Sequence, residues 1–357
     1  MITVSLFGIA VVFFAYLARF KHSSMWLKLS FILIFFLLAL RYDYGNDYKA
    51  YLLDFIDINR HDIIDYFSSD LYYDPGWLLL CRLFKPFGFF AMVATLSAFL
   101  CFVYYRFTEK YVPPQFYWLS VLVFYYSPDI MLVQSTAMRQ SIAIALFIFS
   151  IGYIFKKDLI RYVLCIALAS AFHASILILL PVYFLGLYNK KIPTPAIIVC
   201  VLMYAAAFVM HSSILQFINL FAGTYFEKYT RFQEASSVSS GLGVAFQSVI
   251  LLMILFLEKN QAREVGLVFK IAALGYIFIP LSLAIMMLVR MGFYFQPAAI
   301  VVYPYLVSSI KLKPISRLVL ILLLFITAYN YYSFFQSDVW KIPFGTYKTI
   351  FESPVFY

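Results

Sequence analysis

The sequence predicts an all-α, polytopic integral membrane protein with about 12 transmembrane helices. Three observations carry that prediction. Hydrophobic residues make up 64% of the chain and charged residues 12%, against roughly 45–50% and about 25% in soluble domains. Several apolar runs are long enough to cross a hydrocarbon core of about 30 Å, which takes roughly 17–25 helical residues. Finally, the short loops between these runs alternate between basic and non-basic, the charge pattern of a threaded membrane protein.

Taken in order, the apolar runs place helices near 2–19, 27–40, 86–105, 115–127, 138–155, 160–172, 174–188, 195–211, 244–257, 266–289, 291–309 and 317–334. The first run, ITVSLFGIAVVFFAYLA, has no small-residue cleavage site and is read as a retained helix rather than a removed signal peptide. One set of alternate loops carries 16 of the 27 basic residues, among them Arg19, Lys21, Lys156, Lys157, Lys311 and Arg317. The same loops carry four of the 17 acidic residues. The positive-inside rule puts this side in the cytoplasm and both termini outside. The net charge of +10 is therefore a topology signal, and no nucleic-acid partner is expected. Cys101, Cys165 and Cys200 fall in apolar runs and Cys81 lies near one. Without paired external cysteines, a CxxC or a His/Cys cluster, neither disulfides nor a metal site is expected.

The chain reads as one membrane domain, 1–357, with long external loops at about 41–85 and 212–243 and an external tail at 335–357. Long ordered loops commonly carry function, so the work is expected outside. In the first loop Tyr48, Tyr51, Leu52 and Phe55 recur at helical spacing, with Asp47, Asp54 and Asp57 on another face. That pattern predicts an amphipathic interfacial helix, its aromatic face toward lipid or protein, with Gly45 breaking the chain before it and Asn46 as N-cap. The second loop is similar. SILQFINLFAGTYFEKYTRF is amphipathic, with Glu227 and Arg231 at i,i+4 spacing, and it runs into SSVSSGLG, which serves equally as a hinge for a lid or as an ordinary linker.

Charges at the external helix ends are the candidate functional groups. Arg41 ends the second helix, Arg139 begins the fifth and Arg290 lies between the tenth and eleventh. One such arginine reads as an interfacial anchor that snorkels to water. Three on the side where topology disfavours positive charge read better as a phosphate site, because guanidinium binds phosphate in a bidentate, planar way. His173, at the end of the sixth helix, is equally a hydrogen-bonding turn residue or an acid/base group. Asp129 marks an external turn, and most of the run from Asp54 to Asp74 reads as solvated surface. Asp43 and Asp47, beside Arg41 and Gly45, are the better candidates for a general base. No Walker motif, GxSxG or HExxH is present. Acidic residues inside the spans, the usual sign of ion-coupled transport, are nearly absent.

These residues also form a familiar pattern. The segment "RYDYGNDYKAY" resembles the Arg-x-x-x-Gly-x-Asp-Tyr-x-x-Tyr signature of the EpsG family of exopolysaccharide polymerases, relatives of the Wzy O-antigen polymerases. "MRQSIAIALF" followed by "ASAFHAS" is similar to the family's Arg-Gln core and Phe-His turn. "RMGFYF" looks like its later arginine segment, and "WKIPFGTYKTIFE" like its terminal element. Asn46 and Phe344 depart from the residues common at those places.

The resemblance implies a GT-C-like, metal-independent, inverting glycosyltransferase of the bacterial inner membrane with no cofactor. It would move a growing glycan from undecaprenyl pyrophosphate onto a lipid-linked repeat unit at the periplasmic face, with the bilayer and a chain-length-regulating membrane protein as partners. Arg139 and Arg290 would clamp the pyrophosphate, and Gln140 would bind substrate. Arg41 would orient Asp47 or bind phosphate itself, and Asp47 or Asp43 would activate the acceptor hydroxyl. His173 would donate a hydrogen bond, while Tyr48, Tyr51 and Tyr294 would stack on sugar. Segment 41–51 would form one wall of the site and Arg139 with Arg290 the other. An O-antigen ligase and a lipid-linked oligosaccharide flippase are the alternatives. The first favours a strongly basic external surface, and the second favours charges lining a cavity within the spans.

Overall fold

The computed structural model describes residues 2–21, 23–60, 74–188, 190–210, 213, 241–284 and 287–353. The Glu227–Arg231 pair and residues 236–240 of the stretch read as lid hinge or linker fall outside these residues, and Gly241–Gly243 of that stretch begin a helix. Contacts divide the chain into two compact units, Met1–Tyr183 with Leu323–Tyr357, and Phe184–Leu322.

The first unit opens with α1 (Ile2–Lys21) and α2 (Ser24–Ala39), paired along their length. Ser23 caps α2 by accepting the Met25 N–H, and the Ser30 hydroxyl donates to the Val11 carbonyl, locking the pair at mid-depth. After β1 (Arg41–Tyr42) come α3 (Tyr48–Arg60), α4 (Pro75–Leu83), α5 (Phe89–Tyr111), α6 (Tyr117–Tyr126), α7 (Leu132–Thr136), α8 (Met138–Phe155) and α9 (Leu159–Ser170). Asp158 caps α9 through the Arg161 N–H, and a 3₁₀ helix follows at Ala174–Leu179. The chain passes to the second unit through α10 (Val182–Leu187). That unit holds α11 (Thr194–Val209), α12 (Gly241–Leu257), α13 (Arg263–Ala284), α14 (Met287–Gly292) and α15 (Ala299–Ser308). Helix α16 (Lys313–Gln336) leads back to the first unit, which ends with α17 (Asp338–Lys341) and β2 (Lys348–Thr349).

Among the described residues the fold is all-α apart from one two-residue ladder, and it is that of a membrane protein. Among the described residues four helices are long and apolar enough to span a bilayer, within Ile2–Phe20, Phe89–Tyr111, Met138–Phe155 and Lys313–Gln336. Shorter apolar helices accompany them, including Ser24–Ala39, Leu159–Ser170 and Thr194–Ala206. Several expected spans are broken. The run 174–188 divides into a 3₁₀ turn and α10 at Pro181, and 291–309 divides into the 3₁₀ turn Gln296–Ala298 and the ten-residue α15. Proline removes a backbone donor and crowds the preceding turn, and Pro297 and Pro304 both lie in the second of these runs.

Helix α3 begins at Tyr48, one residue later than an Asn46 cap implies: the Asp47 carbonyl accepts the Tyr51 N–H. Its aromatic face meets protein. Tyr48, Tyr51, Phe55 and Ile58 are buried together with Trp77 and Cys81 of α4, Phe89 and Met92 of α5, and Met138 of α8. Helix α4, inside the predicted first loop, was not expected. Pro75 starts it at a position where the missing N–H costs nothing.

The second unit carries a buried charge cluster. Glu258 is 1% exposed, accepts the Ile192 N–H and faces Lys270 at 3.7 Å, while Lys191 donates to the Gln261 carbonyl at 2.6 Å. Gly266 leaves room for this carboxylate, since a Cβ there would stand 3.2 Å from Glu258 Oε1.

Candidate functional site

Three sequence segments that lie far apart in the chain meet in the first unit. Strand β1 pairs antiparallel with β2, Arg41 opposite Thr349 and Tyr42 opposite Lys348. The Ile350 N–H donates to the Leu40 carbonyl at 2.8 Å, and the Tyr347 hydroxyl to the Leu37 carbonyl at 2.6 Å. The Gly45 N–H reaches the Pro343 carbonyl at 3.0 Å. Tyr44 lies edge-on to both Phe344 and Tyr347. From the other side the Asp47 N–H donates to the Thr136 hydroxyl at 3.0 Å. Gly45 has φ +115°, in the region that favours glycine, with no room for a side chain against Thr136. The glycine of the 41–51 signature is thus required twice, by backbone conformation and by close approach.

Arg41 lies inside this junction. The residue is 3% exposed, and its guanidinium donates to the Leu38 carbonyl, to the Ser97 hydroxyl at 3.1 Å and to the Ser135 carbonyl at 2.8 Å. The Tyr48 ring lies 5.9 Å from it, and the Tyr48 hydroxyl donates to the Arg41 carbonyl. No carboxylate pairs with Arg41 among the described residues, so neutral oxygens and an aromatic ring hold this charge. Burial pushes the Tyr48 phenol well above its ordinary range, with Arg41 pulling the other way.

Arg139, the second residue of α8, is only partly buried. Its side chain is 33% exposed and bridges Asp74 Oδ2 at 2.9 Å, while its guanidinium lies 5.7 Å from the Tyr51 ring centroid. Tyr51 in turn packs on Trp77, ring centroids 4.8 Å apart. Burial raises the Tyr51 phenol, opposed by Arg139. It also raises the Asp54 carboxyl, again opposed by Arg139. Tyr51 therefore stays protonated and able to donate at physiological pH.

Asp47 is exposed, one helical turn before Tyr51. Asp43 is half-buried, with φ +49°, and pairs with Lys49 at 2.9 Å. The hydrogen bond to Asp43, and then its charge, raise the Lys49 pKa.

His173 is half-buried at the N-cap of the 3₁₀ helix. The Gly76 N–H donates to the Ala171 carbonyl at 2.7 Å, which docks the start of α4, and with it Asp74, on the turn that carries His173. Gln140 is buried, 5% exposed.

The second unit holds the remaining candidates. Arg290 is exposed in the last turn of α14, and Tyr294 is buried. The structure thus brings together Arg41, Asp43, Asp47, Tyr48, Tyr51 and Arg139, and it sets Arg139 against the 41–51 segment. Among the described residues no group of three or more His, Cys, Asp or Glu is arranged to hold a metal ion.

Asp74 was missed from sequence because it closes a run of acidic residues that reads as solvated surface. A signal was available in the pair Asp74–Pro75, an N-cap followed by proline at the first helical position, which marks a helix start and hence an ordered carboxylate.

The junction of segment 41–51, the Arg139 turn and the 343–352 tail is one structural unit, and the sequence comparisons span it. The EpsG family profile matches residues 24–349, which include all of these except the last three tail residues. No curated protein and no solved structure matches the chain. The match extends over nearly the whole length and covers the segments that the fold draws together: the chain belongs to the EpsG family.

Proposed function

We propose that this protein is a polysaccharide polymerase that transfers a growing glycan from undecaprenyl pyrophosphate onto a lipid-linked repeat unit. Membership in the EpsG family supports a polymerase-type role in polysaccharide synthesis; the donor, the reaction course and the site are our reading. The observation that carries it is the contrast between two motif arginines. Arg41 is buried with its donors on main-chain and hydroxyl oxygens, whereas Arg139 is one-third exposed at the end of a span. An accessible guanidinium at headgroup level, on a helix N-terminus that itself favours anions, suits a membrane-anchored pyrophosphate.

In this reading Arg139 binds the pyrophosphate and offsets the charge that develops as the glycosidic bond to it breaks. Asp47 accepts the proton of the acceptor hydroxyl, being exposed and one turn from Tyr51, and Asp43, half-buried, is the second candidate. Tyr51, buried against Trp77 and Arg139, has no ring face open to sugar; its role is to hold the guanidinium in place rather than to stack on substrate. His173 and Gln140 are assigned to donor binding, and Tyr48 with Arg41 to holding the 41–51 segment in shape. Arg290 receives a phosphate contact on the resemblance alone, and Tyr294, being buried, is not open to stack on sugar. The same reading carries a GT-C-like body of about twelve spans, a periplasmic active face in the bacterial inner membrane, and a metal-independent, inverting transfer.

The test is polymer profiling of a deletion strain complemented with wild type, Arg139→Ala, Arg290→Ala and Asp47→Asn. Polymer from wild type and single repeat units from Arg139→Ala and Asp47→Asn support the reading. Normal polymer from all three variants overturns the site. Loss of every surface repeat unit on deletion points to a flippase or ligase instead.

A further inference from the structure

Asp74 stands at the N-cap of α4, where an aspartate ordinarily accepts an N–H of its own first turn. Its carboxylate makes no such bond and is spent on Arg139 at 2.9 Å. Asp54 adds a second negative charge close enough to act on the same guanidinium. Arg139 is the second residue of an 18-residue helix long and apolar enough to cross a membrane, and the end of such a span lies at the level of the headgroup phosphodiesters. A bare arginine there takes up whichever phosphate is nearest.

We infer that Asp74 is a specificity-determining residue that occupies Arg139 until a pyrophosphate displaces it, and so keeps monoanionic phospholipid headgroups out of the donor site. This rests on the reading of Arg139 as the pyrophosphate clamp. The physical basis is charge number. A phosphodiester brings one negative charge, no more than the carboxylate it must replace, and it pays the repulsion of Asp74 and Asp54 on approach. A pyrophosphate diester carries two charges on adjacent groups, and its paired oxygens match the guanidinium fork. Both anions are held by the same chemistry, and only the second out-competes the resident carboxylate. Asp74 needs no contact with substrate for this effect; it acts through Arg139.

The experiment uses the purified full chain in nanodiscs of phosphatidylcholine, with or without phosphatidylglycerol, and measures polymerisation of lipid-linked repeat units. In wild type the donor KM is expected to be insensitive to phosphatidylglycerol. In Asp74→Ser, which keeps a capping oxygen without the charge, and in Asp74→Asn, phosphatidylglycerol is expected to raise KM about tenfold with kcat much less affected. Asp74→Glu should restore insensitivity. Equal lipid dependence in wild type and the uncharged variants overturns the inference.

Two readouts need no active variant. Native mass spectrometry should find more retained phosphatidylglycerol on Asp74→Ser than on wild type, and equal retention counts against the inference. On wild type alone, inorganic pyrophosphate should inhibit at concentrations where inorganic phosphate does not, and equal potency overturns it. If wild type makes no polymer, the polymerase reading fails, while lipid retention still decides the role of Asp74.

Discussion

A Cβ atom added to Gly45 would stand 2.6 Å from the Thr136 Cβ, closer than real Cβ atoms pack. This contact joins the first motif to the turn before Arg139, and it makes Gly45→Ala a sharp test. The φ of +115° costs a side chain on the order of 1–3 kcal/mol, and the overlap with Thr136 adds to that. The variant is expected to lose thermal stability and polymer together. Adding Thr136→Ala should recover part of the loss, because it removes the overlap and leaves the backbone strain. Differential scanning of the purified proteins checks both.

Arg139→Ala should lower turnover by about 10²–10³, the usual effect of removing a donor aimed at developing charge. Arg139→Lys should recover little, because an ammonium lacks the planar fork that spans two phosphate oxygens. Turnover of lipid-linked repeat units in vitro is the measurement. Recovery to near wild type by lysine would mean that charge alone suffices.

Arg41→Lys tests a different role. The guanidinium reaches three oxygens on separate segments, and hydrogen bonds to charged groups contribute about 1.5–3 kcal/mol each. A lysine cannot span all three. The variant is expected to melt earlier by an amount corresponding to about 2–4 kcal/mol, with polymer output tracking the amount of folded protein. A stable variant with a raised donor KM would instead assign Arg41 to substrate.

The tail supplies a pH test. Glu352 accepts the Thr349 N–H at 2.8 Å, and this bond holds its carboxyl below the ordinary range. A depressed carboxylate stabilises the fold above its unfolded pKa, about 4.3, and the contribution is lost as pH falls through the folded value. Glu352→Gln should therefore melt slightly earlier than wild type at neutral pH, and the difference should vanish below the folded pKa. A difference that is constant with pH would rule out the ionised capping box.

Much of the architecture was legible from composition. Long apolar helices such as Met138–Phe155 announce themselves because lipid forces continuous hydrophobicity. The aromatic face of α3 was legible too, since Tyr48, Tyr51 and Phe55 keep a helical period. The partner of that face was not, because period alone does not distinguish lipid from protein.

The β1–β2 ladder left no trace in sequence. Two residues a side are too short for a strand pattern, and their pairing joins opposite ends of the chain. Arg41 was singled out from sequence for its charge at a helix end. Its burial was invisible because the groups that hold it are main-chain carbonyls, which any sequence supplies. Asp74 was hidden for the opposite reason: its neighbours in sequence are all the kinds of residue that face water.

The bond from the Tyr347 hydroxyl to the Leu37 carbonyl spans 310 residues of chain. Translation at about 5–20 residues per second separates the emergence of these two residues by roughly 15–60 s. For that interval the 41–51 segment lies inserted at the membrane surface without the tail that pins Gly45 and Arg41. The 343–352 segment is thus the part whose synthesis completes the shape of the 41–51 segment, and a ribosome that stalls before it leaves the Gly45 N–H and the β1 edge without their partners.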